Sequence, residues 1–148
     1  MDVEQYRGWF GIAAEMGFQS ITYDDLAAWR AGDKELPDRP IMFDFDHPKT
    51  SILNEINPIM RDHGFVGNIF INTLPIVEMY AGGVEAEDRS QMTWEEIGEL
   101  MAAGWNIGSH THTHPNLSKL GVKDPSGVLI REELETCDDL LKQNLGIQ

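Results

Sequence analysis

Two short polar segments contain the residue types that bind metal ions and move protons. The first, residues 43–48 (FDFDHP), carries Asp44 and Asp46, and the second, residues 109–115 (SHTHTHP), holds three of the five histidines. Neutral imidazoles and carboxylates are ligands that zinc and similar divalent ions take in proteins. A further carboxylate beside such an ion can accept a proton from water. Together the segments predict a hydrolytic metal centre.

Each segment taken alone also has an ordinary structural explanation. Asp and Pro are common turn formers, so residues 43–48 are also typical of a turn. A histidine cluster can be part of a surface loop. His110 and His114 are four residues apart, which would place two imidazoles on one side of a helical turn. The combination of the two segments is more specific than either one.

The hydrophobic pattern predicts that strands and helices alternate from residue 41 onward. Such alternation is typical of a parallel sheet with right-handed crossovers. Both polar segments follow predicted strands, and the carboxyl ends of parallel strands meet at one edge of the sheet. We therefore expect the two segments to lie close together. The predicted strands are 41–45, 65–72 and 105–108, and the predicted helices are 50–63, 93–103 and 126–145.

Local signals refine this prediction. Helices are predicted at 3–17 and 24–31, the latter with Leu26 and Trp29 facing inward, with an extended piece at 18–22 between them. Residues 73–91 and 110–120 are predicted to be loops, the first with a short helical piece at 76–80. A capping box at Thr93–Glu96, a kink at Pro58 and a C-terminal cap at Gly146 are also expected.

Length and charge exclude several classes of protein. The 148 residues suit one domain, 1–148, and 11 Lys and Arg against 25 Asp and Glu give a net charge of −14. So acidic a chain repels phosphate backbones and anionic lipid, which argues against nucleic-acid and membrane-surface partners.

Cys137 is the single cysteine, so no intrachain disulfide is expected. No apolar run is long enough to insert into a membrane, and the start of the chain lacks a signal-peptide pattern.

The second segment and its surroundings resemble the polysaccharide deacetylase family, also known as the NodB-homology domain or carbohydrate esterase family 4. The family motif is a His, a Ser or Thr, two variable residues and then His-Pro, which residues 110–115 (HTHTHP) match. The lead-in at 106–109 (NIGS), the helix start at 92–97 (MTWEEI) and residues 21–26 (ITYDDL) are similar too. The resemblance runs from about Met16 to Leu145.

This resemblance implies a fold, a cofactor and an activity. The fold would be α/β, a partial distorted (β/α) barrel with parallel strands that forms the N-terminal part of a NodB-type deacetylase barrel. One divalent metal ion, zinc as first choice, would be held by one Asp and two His, with His110 and His114 as ligands. His112 occupies a variable position and is expected to be an exposed loop residue. The activity would be metal-dependent removal of N-acetyl groups from a glycan, which for this family often takes place outside the cell or at its envelope.

The first segment departs from the usual Thr-Phe-Asp-Asp-Gly of the family, and two registers are open. In the first, found as Asp-x-Asp in allantoinase-like branches, Asp44 is the base and Asp46 the metal ligand. In the second, Asp46 is the base and His47 the ligand, which gives a three-histidine site that zinc also accepts. The usual ligand chemistry favours the first register, and we predict Asp44 as the base with Asp46, His110 and His114 as ligands, although the spacing to Pro40 and Pro58 fits the second without a gap.

The family's later motifs, including the one that supplies the general acid, are not found before Gln148. A full eight-unit barrel needs about 250 residues. We therefore expect a truncated domain with weak or no activity by itself and with an open sheet edge that could self-associate. Two alternatives remain: an allantoinase-like hydrolase of a cyclic amide or imide, and a non-catalytic domain that binds metal or glycan.

Overall fold

The computed structural model describes residues 2–83 and 89–147 of the chain. The strands are β1 (Gln19–Ser20), β2 (Pro40–Ile41), β3 (Asp44–Asp46), β4 (Asn68–Ile71) and β5 (Asn106–Ser109). The helices are α1 (Val3–Glu15), α2 (Tyr23–Ala31), α3 (Asn57–Asp62), α4 (Leu74–Gly82), α5 (Trp94–Ala102), α6 (Leu117–Lys123) and α7 (Val128–Leu145), and a π-helical turn spans Ile52–Ile56.

All paired strands are parallel, as the alternation of elements predicts. The larger sheet has the order β3-β4-β5, and the smaller sheet pairs β1 with β2. In the larger sheet Phe45 lies opposite Ile69, which lies opposite Ile107. Within each sheet, consecutive strands are joined by helices, because a parallel pair needs a crossover that returns the chain to the same end of the sheet.

The central strand β4 is the most deeply buried part of the sheet. Ile69 and Ile71 are completely inaccessible to solvent, and they join the helices in one hydrophobic core. Aromatic side chains extend this core toward α1, where Phe43 packs edge-on against Phe10 at 5.1 Å between ring centres. The burial of these large side chains holds β4 rigidly, and the ends of β3 and β5 are positioned through it.

The predicted strand 41–45 is divided between the two sheets. The Ile21 amide donates to the carbonyl oxygen of Ile41 on the β1 side, whereas the Asn68 amide donates to the carbonyl oxygen of Phe43 on the β4 side. The chain changes partner between these residues, so one apolar run forms two short strands.

The segment before Pro58 is a π-helical turn, so the expected kink takes the form of a change in helix type. Proline has no amide hydrogen to donate to the carbonyl four residues earlier. Pro58 lies in the first turn of α3, where that hydrogen is not needed, and the Asn57 amide donates to the Ile52 carbonyl five residues back.

Several local predictions are confirmed and others are wrong. The capping box of Thr93 and Glu96 is formed, and Gly146 ends α7 with a φ of 70°. Trp29 is 47% exposed rather than inward-facing, and α2 has no buried residue, because little of the core reaches that helix. Part of the predicted loop 110–120 forms α6. The helical piece predicted at 76–80 is longer in the structure, where it is α4. Residues 84–88 of the other predicted loop lie outside the described residues.

Among the described helices, none has the length and apolar character needed to cross a membrane.

Gly67 allows Trp105 to pack against the start of β4. A Cβ atom at Gly67 would lie 2.6 Å from the Trp105 ring, which is 3% exposed and donates its Nε1 hydrogen to Asn57 Oδ1 at 3.0 Å. Since the ring cannot move without losing this contact, we expect Gly67→Ala to lower the free energy of unfolding by about 1–3 kcal/mol. Urea denaturation followed by tryptophan fluorescence measures the change.

Gly98→Ala in α5 is the matched control. No neighbouring heavy atom lies within 4 Å of a Cβ at Gly98. Alanine is the better helix former by about 0.5–1 kcal/mol, so this variant should be as stable as the wild type or more stable. Unchanged stability of Gly67→Ala would show that the packing against Trp105 is not tight.

Candidate metal centre

The end of β4 anchors both polar segments. The His47 amide donates to the carbonyl oxygen of Phe70, and the His110 amide donates to that of Ile71, each at 2.9 Å. These bonds continue the two ladders of the sheet by one residue beyond β3 and β5. The segments therefore meet at the carboxyl edge of the sheet, as their positions after predicted strands indicate.

Three histidine side chains form a cluster at this edge. One ring nitrogen from each of His47, His110 and His114 lies within 4.8 Å of the other two. The ring centre of His47 is 5.2 Å from that of His110 and 4.8 Å from that of His114, and the latter two are 4.7 Å apart. His47 and His110 are half-buried and His114 is exposed, so the cluster opens toward solvent on one side.

The backbone around the cluster is strained. His47, Thr111 and His114 have φ values of 69°, 67° and 60°, and within the described ranges they are the only non-glycine residues with positive φ. Each such conformation costs on the order of 1–3 kcal/mol and is kept where surrounding contacts require it. Residues 110–114 form an irregular loop, as predicted, and the spacing of four between His110 and His114 does not correspond to a helical turn. The loop brings the two imidazoles together by a tight turn, in which the His114 amide donates to Thr111 Oγ1 at 3.1 Å.

Asn72 orients the first histidine of the cluster. Its Oδ1 lies 2.9 Å from His47 Nδ1, so a hydrogen on Nδ1 leaves Nε2 with a free lone pair. Asn72 is buried and directly follows β4. Asn72 is not among the residues predicted from the sequence, although the rule that functional residues follow the ends of parallel strands applies to β4 as well.

Asp46 lies beside the cluster but outside it. Its Oδ1 is 4.0 Å from His110 Nδ1, and its side chain is 60% exposed. Burial lowers the pKa of His110; the charge of Asp46 opposes this, and His114 and His47 add to the lowering. The net result is a pKa below the usual histidine value, so His110 is neutral at neutral pH and its lone pair is available to a metal.

Asp44 is engaged elsewhere. The Tyr23 hydroxyl donates to Asp44 Oδ2 at 2.9 Å, and the Asn68 side-chain amide donates to Oδ1 at 3.0 Å. The hydrogen bond to Asp44 raises the pKa of Tyr23, and burial and the negative charge of Asp44 act in the same direction. Asp44 is exposed and precedes Asp46 by two positions on β3, so both side chains point to the same face of the sheet.

His112 differs from its expected role as an exposed loop residue. It is half-buried, and its Nδ1 lies 2.8 Å from Oγ1 of the buried Thr73. Its carbonyl oxygen accepts the Leu74 amide at 3.0 Å. His112 thus connects the loop 110–114 to the start of α4 and is not part of the cluster.

The donor set of the cluster fits a divalent ion of the zinc type. Three imidazoles with one open position are a common arrangement for catalytic zinc, and a polar partner on a second ring nitrogen, as at His47, is typical of such ligands. Asp46 adds a carboxylate oxygen 4.0 Å from His110 Nδ1, at the side of the cluster.

Comparison with known proteins identifies the family. The sequence profile of the polysaccharide deacetylase family matches residues 33–148, which is most of the chain. A comparison with curated protein sequences gives no significant match.

Three solved structures share the fold. The Streptococcus pyogenes deacetylase PplD in complex with acetate has a TM-score of 0.78 at 14% identity, covering 97% of this chain and 58% of its own. IcaB from Ammonifex degensii has a TM-score of 0.79 at 19% identity, covering 100% and 64% respectively. The deacetylase domain of BpsB from Bordetella bronchiseptica has a TM-score of 0.72 at 19% identity, covering 95% and 64%.

The chain thus spans 58–64% of the length of these structures. Their likeness confirms the predicted α/β fold with parallel strands, a partial deacetylase barrel. The profile match over residues 33–148 establishes the family: the chain belongs to the polysaccharide deacetylase family.

Proposed function

We propose that this chain carries the metal centre of an N-deacetylase that acts on an N-acetylated glycan. His47, His110 and His114 would hold one divalent ion, zinc as first choice, and Asp46 would be the catalytic base. The cluster of three imidazole nitrogens within 4.8 Å beside the Asp46 carboxylate carries this proposal.

The geometry favours the second of the two registers that the sequence leaves open. His47 belongs to the cluster, which agrees with the spacing of residues 45–48 to Pro58. In the first register Asp44 would be the base, yet its two oxygens already accept hydrogen bonds from Tyr23 and Asn68. Asp46 is the carboxylate nearer to the histidines, so in our proposal it takes the base role instead of the ligand role.

Each residue has a defined task in this reaction. A bound divalent ion would lower the pKa of water and polarise the acetamide carbonyl. Asp46 is exposed beside His110 and would accept the proton of the water that attacks the acetyl carbon. For the C–N bond to break, the sugar nitrogen needs a proton, which the protonated Asp46 would return, so that acetate and the amine of the sugar are released. Asn72 would keep His47 in the tautomer that presents Nε2.

The substrate class rests on the family and on the exposure of the site. The family profile is that of polysaccharide deacetylases, and the related S. pyogenes structure holds acetate, the acid that N-deacetylation releases. His114 and Asp46 are exposed, so a sugar carried on a long polymer could reach them from solvent. We propose that residues 1–148 act as one unit of a deacetylase domain toward such a glycan.

His47→Ala tests the proposed ligand set. We expect the affinity for zinc to fall by more than about 100-fold, because loss of a direct ligand should cost more than the 10- to 100-fold typical of an outer-shell partner. Competition with a chromophoric chelator measures the affinity. Asp44→Asn keeps the size of the side chain and should change the affinity less than about threefold, well below that outer-shell range.

The first register makes the opposite prediction. If Asp46 were a ligand and His47 were not, Asp46→Asn would weaken zinc binding and His47→Ala would leave it intact. That pattern would exclude the three-histidine centre.

Asp46→Asn tests the base. With zinc affinity preserved, we expect hydrolysis of p-nitrophenyl acetate to slow by about 10²- to 10⁴-fold, the usual contribution of a general base. This ester is a suitable probe because p-nitrophenolate leaves without needing a proton from the protein. Its absorbance gives the rate directly.

Acetate release from N-acetylglucosamine oligomers, measured in parallel, examines the glycan substrate. Ring opening of a cyclic amide serves as the comparison for the allantoinase-like alternative. Equal rates for Asp46→Asn and wild type with zinc bound would remove Asp46 from the base role.

A further inference from the structure

We propose that Glu133 on α7 is a positioning residue for the histidine loop, defined as residues 110–114. It would hold the loop in the conformation that brings His110 and His114 together. The part of this inference that concerns metal rests on the proposed function, whereas the attachment of the loop stands on contacts within the chain.

One carboxylate receives three hydrogen bonds from two consecutive loop residues. Glu133 Oε2 accepts the backbone amides of His112 and Thr113 at 3.1 and 2.8 Å. Glu133 Oε1 accepts the Thr113 hydroxyl at 2.7 Å. Both carboxylate oxygens are thus used on the loop, and the bonds fix the position and the direction of its backbone.

The charge of Glu133 suits this role. Burial raises the pKa of its carboxyl. The hydrogen bonds from the backbone and hydroxyl of Thr113 and from the backbone of His112, together with a smaller contribution from the His112 ring, outweigh burial and lower the pKa. The net pKa lies below the usual value for glutamate. The group is therefore ionised at neutral pH and accepts hydrogen bonds at both oxygens.

The loop needs an external support because of its strain. Thr111 and His114 flank the two anchored residues, and both have positive φ. Without the Glu133 carboxylate the Thr113 amide would have to find water or a new partner. The His112 amide would keep only the backbone carbonyl oxygen of Glu133, to which it also donates at 3.2 Å. The loop could then relax toward ordinary backbone angles, which would move His114 away from His110.

The attachment of α7 itself does not depend on Glu133. One turn further along, Cys137 is fully buried and its Sγ donates to the carbonyl oxygen of Ile71 at 3.3 Å. The His110 amide donates to the same carbonyl oxygen. Leu141 continues the buried face of the helix. Removal of the Glu133 carboxylate should therefore loosen the loop while the helix stays in place.

Glu133→Ala tests this inference with cobalt(II), whose visible absorption reports both affinity and coordination geometry. We expect the dissociation constant to rise about 10- to 100-fold, the range for loss of a group that orients ligands. The absorption band should also change shape. Glu132→Ala is the matched control, since Glu132 is the exposed neighbour on the same helix, and it should bind cobalt as the wild type does.

Two further variants separate positioning from general stability. Glu133→Gln keeps one oxygen acceptor and should restore part of the affinity. Thr113→Val removes only the hydroxyl bond, and it supplies the test if Glu133→Ala fails to fold. In both, the urea midpoint of the metal-free chain should stay close to that of the wild type.

Hydrogen exchange of the metal-free chain gives a readout that needs no metal. The Thr113 amide should exchange faster in Glu133→Ala, and the His112 amide, which keeps the backbone carbonyl oxygen of residue 133, should change less. The His110 amide, which bonds to β4, should stay protected. Unchanged exchange at both loop amides would overturn the inference. So would wild-type cobalt binding by Glu133→Ala.

Failure of the wild type to bind cobalt would instead overturn the proposed metal centre. Hydrogen exchange would then still decide whether Glu133 holds the loop.

Discussion

Two backbone hydrogen bonds at the end of β4 determine where the three-histidine cluster of this chain lies. The carbonyl oxygens of Phe70 and Ile71 accept the amides of His47 and His110, which are more than 60 residues apart in sequence. Because β4 is the middle strand and its isoleucines are fully buried, these two acceptors occupy fixed positions. The packing of the core therefore fixes the positions of the side chains that would hold a metal ion.

Although β4 is rigid, the backbone of the residues that follow β3 and β5 is strained. Non-glycine residues adopt positive φ at three places, all of them in or between the clustered histidines in the described parts of the chain. Buried or half-buried polar groups compensate for this strain: Asn72 contacts His47, Thr73 contacts His112, and Glu133 accepts three hydrogen bonds from the loop. A free loop of this composition would not keep His110 and His114 so close to His47. Polar residues between β4 and α4 and on α7 therefore surround the site.

Local sequence signals predicted local structure well. The capping box at Thr93 and the C-terminal cap at Gly146 formed because they depend only on neighbours within a few residues. Signals that depend on distant partners failed more often. The apolar run 41–45 was divided between two sheets, and Trp29 remained exposed because no core surface reaches it.

By itself the sequence determined the alternation of strands and helices, the family, and the two polar segments that meet at the sheet edge, with His110 and His114 among their residues. It left open which of Asp44, Asp46 and His47 faces those histidines. The strand-end rule could have pointed to Asn72, whereas no sequence signal pointed to Glu133. Only the tertiary structure decided these points. Side-chain direction at a strand end depends on register and on one residue's φ, and the supporting groups come from elements brought together only when the sheet and α7 pack.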